Sequence, residues 1–122
     1  MSSETVQRVM RDRQLASLGD AFVNFIYSLA LTQINGHPEG TKVSDRILSE
    51  AFRLTNLREQ LGSRLSRKDL ANAAESLLVD AYRKHLLSID ESVQILSTNP
   101  DGPVAALSDL LKVAAERVAK AG

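Results

Sequence analysis

Two acidic residues stand out by what surrounds them. Asp20 lies between Gly19 and Ala21, four residues after Ala16 and four before Asn24. On a 3.6-residue period, Ala16, Asp20, Asn24 and Tyr27 fall on one side of a helix. Glu75 lies amid Ala73, Ala74, Leu77 and Leu78, on a face shared with Asn72 and Val79. A carboxylate in apolar surroundings must be paired, protonated or bound to a metal. Two carboxylates from different helices, with two Asn side chains nearby, suit a hard, oxygen-preferring cation. Magnesium is the natural candidate, because it keeps waters that a phosphate can replace. The same spacing also admits a plainer reading, in which both are surface acids on amphipathic helices.

Composition narrows the chemistry. The chain has 122 residues, a natural length for one domain, with 43% hydrophobic and 25% charged residues. That balance excludes a disordered chain. Fifteen Lys and Arg offset fifteen Asp and Glu, so the formal net charge is zero. A zero total says nothing of where the charges sit, and cations could still line a groove. There is no Cys, which removes disulfides, thiolate metal sites and cysteine nucleophiles together. Any metal here must therefore be held through oxygen. Aromatics are only 4% and Trp is absent, so the core is expected from Leu, Ile, Val and Ala.

The N-terminus lacks the apolar stretch of a signal peptide. The run from Ala21 to Leu31 is shorter than the roughly 20 residues a bilayer requires. A cytoplasmic protein with no membrane association is expected.

The elements that must position the acids read as helices throughout, and an all-α bundle is expected. A first helix is predicted over 4–34, with Leu15, Leu18, Phe22, Phe25, Ile26 and Leu29 as one apolar stripe. Asn35 to Gly40 breaks it with Gly and Pro. A second helix is predicted over 44–55, with Ser44 as cap and Ile47, Leu48, Ala51, Phe52 and Leu54 on its buried side. A short piece follows over 57–61, closed by Gly62. A third long helix is predicted over 66–88, opened by the Ser66-x-x-Asp69 capping signature. Asp90 is expected to cap a short helix through Leu96. Pro103 should open the last helix, and Arg117 and Lys120 suit its C-terminal end. His37, in a Gly/Pro turn, reads as solvent-exposed and a poor metal site, and the placement of His85 near a helix C-terminus is explained by the helix dipole. Phe22, Phe25 and Phe52 read as core or subunit interface.

Two segments resemble a known family. Leu15-Ala16-Ser17-Leu18-Gly19-Asp20-Ala21-Phe22 is similar to the ribonuclease III signature, usually L-E-F-L-G-D-A/S-V. Leu70-Ala71-Asn72-Ala73-Ala74-Glu75-Ser76-Leu77-Leu78 is similar to that family's second acidic helix, usually L-A-D-x-x-E-A-L-I. Order and separation agree, and the stretch from Gly40 to Leu57 resembles the connection between the two. The resemblance covers about 4–96 of one domain spanning 1–122, and 103–121 stands outside it as an extra C-terminal helix.

The resemblance implies an all-helical, homodimeric, magnesium-dependent endonuclease that cleaves double-stranded RNA, with Mn²⁺ as a possible substitute. It implies that Asp20 and Glu75 are the catalytic metal ligands, with Asn24 and Asn72 orienting ligands or waters behind them. Cations then have to line the cleft, and Lys42, Arg46, Arg64, Arg67 and Lys68 are the candidates. Three departures bear on activity. Ala16 stands where the signature Glu would be, Asn72 where the Asp of D-x-x-E would be, and Arg13 where a further upstream Glu would be. The compact Mini-III branch also lacks the acids at the positions of Ala16 and Asn72 and remains a nuclease. This chain is similar to that branch and to small archaeal forms made of the nuclease domain alone. Two other readings compete with the active nuclease. One is a degenerate module that binds structured RNA without cutting, and the other is a helical interaction protein with no RNA role.

Overall fold

The computed structural model describes residues 3–122, and among these every regular element is helical. The helices are α1 (Ser3–Met10), α2 (Arg13–Asn35), α3 (Asp45–Arg53), α4 (Arg67–Arg83), α5 (Ile89–Thr98) and α6 (Pro103–Ala121). A single 3-10 turn, Leu57–Gln60, links α3 to α4. The all-α expectation holds.

The most extensive pairing is α2 against α4, with α3, α5, α6 and α1 packed around that pair. α4 is the axis of the molecule: every residue from Ala73 to Ala81 is buried. α2 is long and apolar enough to pass for a membrane span by composition alone. Its Ala16, Gly19, Phe22, Val23, Ile26 and Ala30 are instead buried in the bundle. The Phe22 ring stacks on Tyr82 of α4, with centroids 4.9 Å apart. As expected from composition, aliphatic residues supply nearly all of the core.

The predicted first helix is in fact two. The chain breaks at Asp12, which is extended (φ −83°, ψ 106°), and its Oδ1 accepts from the Gln14 and Leu15 amides at 3.0 and 3.1 Å. An Asp that caps the helix behind it ends the helix before it. Ser76 of α4 donates to the Asp12 carbonyl at 2.9 Å, which ties this corner to the central helix.

The predicted apolar stripe of α2 also divides. Phe22 and Ile26 face the core, whereas Leu18 and Phe25 are 48% and 53% exposed. Small residues at Ala16 and Gly19 take the inward positions, because α2 approaches α4 too closely for larger ones. In α3, Ser44 caps as expected, accepting from the Ile47 amide at 3.2 Å. Leu48, Ala51 and Phe52 are buried, but Leu54 lies past the helix end and is exposed.

The Ser66–Asp69 capping box forms with both bonds present. α4 stops at Arg83, five residues before the predicted end. Its stop is a left-handed His85 (φ 61°), with the Leu86 amide returning to the Ala81 carbonyl at 2.9 Å. Nothing in the local sequence marks that stop, because neither Gly nor Pro stands there. The cap of α5 is Ser88, which accepts from Glu91 N at 3.0 Å, and Asp90 lies within the first turn. α6 begins at Pro103 as predicted. Arg117 serves α5 more than its own helix end: it forms a two-pronged bond to Glu91 at 2.6 and 2.7 Å and reaches the Leu86 carbonyl at 2.9 Å. Lys120 pairs with Glu116 one turn back at 2.7 Å.

Candidate functional site

Small residues decide where the two acids meet. Gly19 packs against the main chain of Glu75, where a β-carbon would collide with the Glu75 carbonyl. With the helices this close, Asp20, the next residue on α2, comes within hydrogen-bond reach of the Glu75 side chain. Asp20 remains open to solvent, whereas Glu75 is only 3% exposed. The two carboxyls therefore form one pair with a wet end and a dry end.

That asymmetry has an electrostatic consequence. Burial, the hydrogen bond to Asp20 and the charges of Asp20 and Asp45 push Glu75 up to about 8, while Lys68 pulls it down. At neutral pH the Glu75 carboxyl is therefore held largely in its neutral form beside Asp20. A hard divalent cation is the other species that can satisfy such a pair. The donors are oxygen only, as the lack of Cys requires. Among the described residues no group of three or more His, Cys, Asp or Glu gathers to hold a metal. The pair therefore fits an ion that keeps most of its water shell, such as Mg²⁺ or Mn²⁺, and not a fully caged one.

Asn24 sits one turn beyond Asp20. Its amide donates to Asp20 Oδ1 at 3.4 Å, and its Oδ1 accepts from the Val43 amide at 2.8 Å. It thus joins Asp20 to the strand-like entry of α3. Asn72 is placed differently. It lies one turn before Glu75 and opens into a neighbouring cavity of about 310 Å³, lined by Arg11, Asp12, Arg13 and Asp69 among others. It makes no hydrogen bond to either carboxyl.

The five predicted cations come from two stretches of the chain, 42–46 and 64–68. Lys42 and Val43 follow the 36–41 turn at the end of α2, and Lys42 is exposed. Arg46 faces Glu50 at 3.3 Å. Arg67 and Lys68 begin α4, and Arg64 precedes them in a left-handed conformation (φ 60°). Lys68 pairs with Asp45 at 3.5 Å. Asp45 was not legible as a site residue: after Ser44 it reads as an ordinary first-turn acid of α3. His37 is exposed, as expected, and so is His85. Phe52 and Phe22 are core and Phe25 is surface.

No match was found among curated individual proteins. The family model described as Ribonuclease III matches residues 13–121, from the start of α2 to the end of α6. The match takes in both acidic helices and also the final helix, which the sequence motifs alone did not reach. The chain belongs to the ribonuclease III family, and its fold is that of a nuclease domain acting on RNA.

Proposed function

We propose that this protein is a divalent-cation-dependent endoribonuclease that hydrolyses phosphodiester bonds in double-stranded RNA, acting as a cytoplasmic homodimer. The observation that carries this reading is the meeting of Asp20 and Glu75, one from each motif helix, as a single carboxyl pair. Asp20 and Glu75 are the residues that would hold Mg²⁺ or Mn²⁺, with Asn24 keeping Asp20 in place through its second bond to the Val43 amide. The bound ion would neutralise phosphate charge and lower the pKa of a water for attack on phosphorus. For the pair to hold a cation, Glu75 would have to be deprotonated. Asn72, one turn before Glu75, orients water or RNA at the edge of the site and does not touch the carboxyls. Lys42, Arg46, Arg64, Arg67 and Lys68 flank the approach and meet the phosphates of a duplex recognised by shape.

The dimer reading rests on the outer side of α2. Leu18 and Phe25 are exposed there, on the same helix as Asp20. Phe25 also borders an open, largely apolar hollow with Leu29, Pro38 and Lys42. An isologous contact about α2 would bury this surface and set two carboxyl pairs near one duplex, one per strand.

The test is cleavage of a defined RNA duplex with Mg²⁺ or Mn²⁺ by the wild type, Asp20→Asn and Glu75→Gln. The wild type is expected to cut, and each variant to lose about a hundredfold or more in rate. Variants that cut normally would sink the role given to these residues. Salt-sensitive duplex binding by a wild type that never cuts would favour the degenerate RNA-binding module instead.

A further inference from the structure

Polar contacts and two short stretches of chain link the carboxyl pair into a ring. Glu75 bonds to Asp20, and Asp20 to Asn24, whose Oδ1 holds the Val43 amide at 2.8 Å. Two residues on is Asp45, at the first turn of α3, and its Oδ2 faces Lys68 Nζ at 3.5 Å. Lys68 lies seven residues before Glu75, on the same face of α4 and two turns away. The ring thus runs from α4 through α2 and the start of α3 back to α4. Both charges of its last link act on Glu75, Asp45 raising its pKa and Lys68 lowering it.

The Asp45–Lys68 link has little value for stability. The two side chains are 42% and 67% exposed, and such solvent-screened pairs add little to stability. Its value lies in placement. A free lysine on a helix surface samples many rotamers, and a charge that must be ordered at the moment of binding is worth less. Here the ammonium is held on the face that leads to the acidic pair, by an acid that is itself anchored to that pair through Val43 and Asn24. Among the described residues, Arg46 and Lys68 are the flanking cations with an acidic partner in salt-bridge contact, and the partner of Arg46 is on its own helix. The positions of Ala16 and Asn72 leave the site two carboxylates, so a fixed protein cation beside it would offset part of the phosphate charge.

We propose that Asp45 is a positioning residue that docks Lys68 at the mouth of the Asp20–Glu75 pair, making Lys68 the fixed phosphate-contacting cation of this site. The proposal rests on the RNA-cleaving reading above. It makes a prediction opposite in sign to simple charge counting. Removing an acid beside a polyanion should tighten binding, whereas removing a positioning acid should weaken it.

The experiment measures the affinity of a labelled blunt RNA duplex with Ca²⁺ replacing Mg²⁺ and, separately, kcat and KM with Mg²⁺. Lys68→Ala is expected to weaken duplex binding about tenfold at low salt and to lower the salt slope by about one. Asp45→Asn should weaken it about threefold and lower kcat about tenfold, with Lys68→Arg retaining most of both. The double variant Asp45→Asn/Lys68→Ala should be no worse than Lys68→Ala alone, the mark of two residues acting as one unit. Tighter or unchanged binding by Asp45→Asn, or additive losses in the double variant, would overturn the proposal. If the wild type binds the duplex but never cuts it while the coupled losses persist, only the nuclease reading falls. If the wild type does not bind the duplex at all, both fall.

Discussion

Gly19 of α2 lies directly against the backbone of Glu75 in α4, and this contact sets the distance between the two acidic helices. A methyl group at position 19 would meet main-chain atoms, which cannot rotate away. Gly19→Ala is therefore expected to force α2 outward and destabilise the fold by about 1–3 kcal/mol, the usual range for overpacking. It should also part Asp20 from Glu75, so the protein that remains folded would lose activity out of proportion to its stability. Urea unfolding together with specific activity per folded molecule checks both effects. A variant with unchanged stability and rate would mean that the two helices have room to spare.

Glu75 makes stability depend on pH in a direction unusual for an acid. Its carboxyl is pushed from 4.5 in the unfolded chain to about 8 in the fold, chiefly by burial and then by Asp20. The folded state therefore binds a proton more tightly than the unfolded state between those values, and unfolding releases it. This contribution is complete below about 4.5 and is lost as pH rises through about 8. Without divalent metal, the melting temperature should fall by several degrees across that window. Glu75→Gln keeps the hydrogen-bonding shape without the titration and should flatten the slope. Asp69 and Glu91 are shifted the other way, downward, by their hydrogen bonds to Ser66 and Arg117. Their effects fall on the acid side, below the ordinary carboxylate range, and do not overlap this window.

Phe25 tests the assembly. It is 53% exposed on the outer side of α2 with Leu18 nearby. Placing a charge at the centre of an isologous contact puts two copies of it close together across the axis. Phe25→Glu is expected to weaken dimerisation at least tenfold while leaving the melting temperature of the monomer within a few degrees. Sedimentation velocity across a dilution series reads the change. An unaltered association state would place the interface elsewhere.

His85 holds a left-handed conformation at the stop of α4, with its side chain exposed to solvent. A residue with a β-carbon pays roughly 1–2 kcal/mol for that conformation, which glycine does not. Glycine in turn loses more freedom on folding. His85→Gly should thus raise stability by about 0.5–1 kcal/mol, measurable as a higher urea midpoint with an unchanged slope. A loss of stability would indicate that the imidazole contributes a contact of its own.

Much of the molecule was legible from residue order alone. The helical class, the Ser66–Asp69 cap and the start at Pro103 follow from local rules, because propensity, capping and periodicity act over a few residues, whereas the pair of acidic motifs was legible through its resemblance to the ribonuclease III family. The misplaced boundaries share a cause. Asp12 carries the right chemistry for a cap, but a run of helix-favouring residues on both sides hides the break. His85 marks an end without Gly or Pro, and Arg117 is committed to Glu91 and Leu86 by packing between α5 and α6.

What the sequence by itself determined is which side chains are present to do chemistry: oxygen donors without thiols, two acids flanked by apolar neighbours in the chain, and cations elsewhere to balance them. What only the tertiary structure decided is which of these meet. Asp20 and Glu75 stand 55 residues apart in the chain, and no local rule brings them together. Close packing at Gly19 does, and burial of one partner then turns an ordinary glutamate into a proton-holding acid. Asp45 looked like the first turn of a helix until α3 was docked on α4 beside Lys68. Helix identity is a short-range property, but distance, burial and the electrostatics that depend on them belong to the packed molecule.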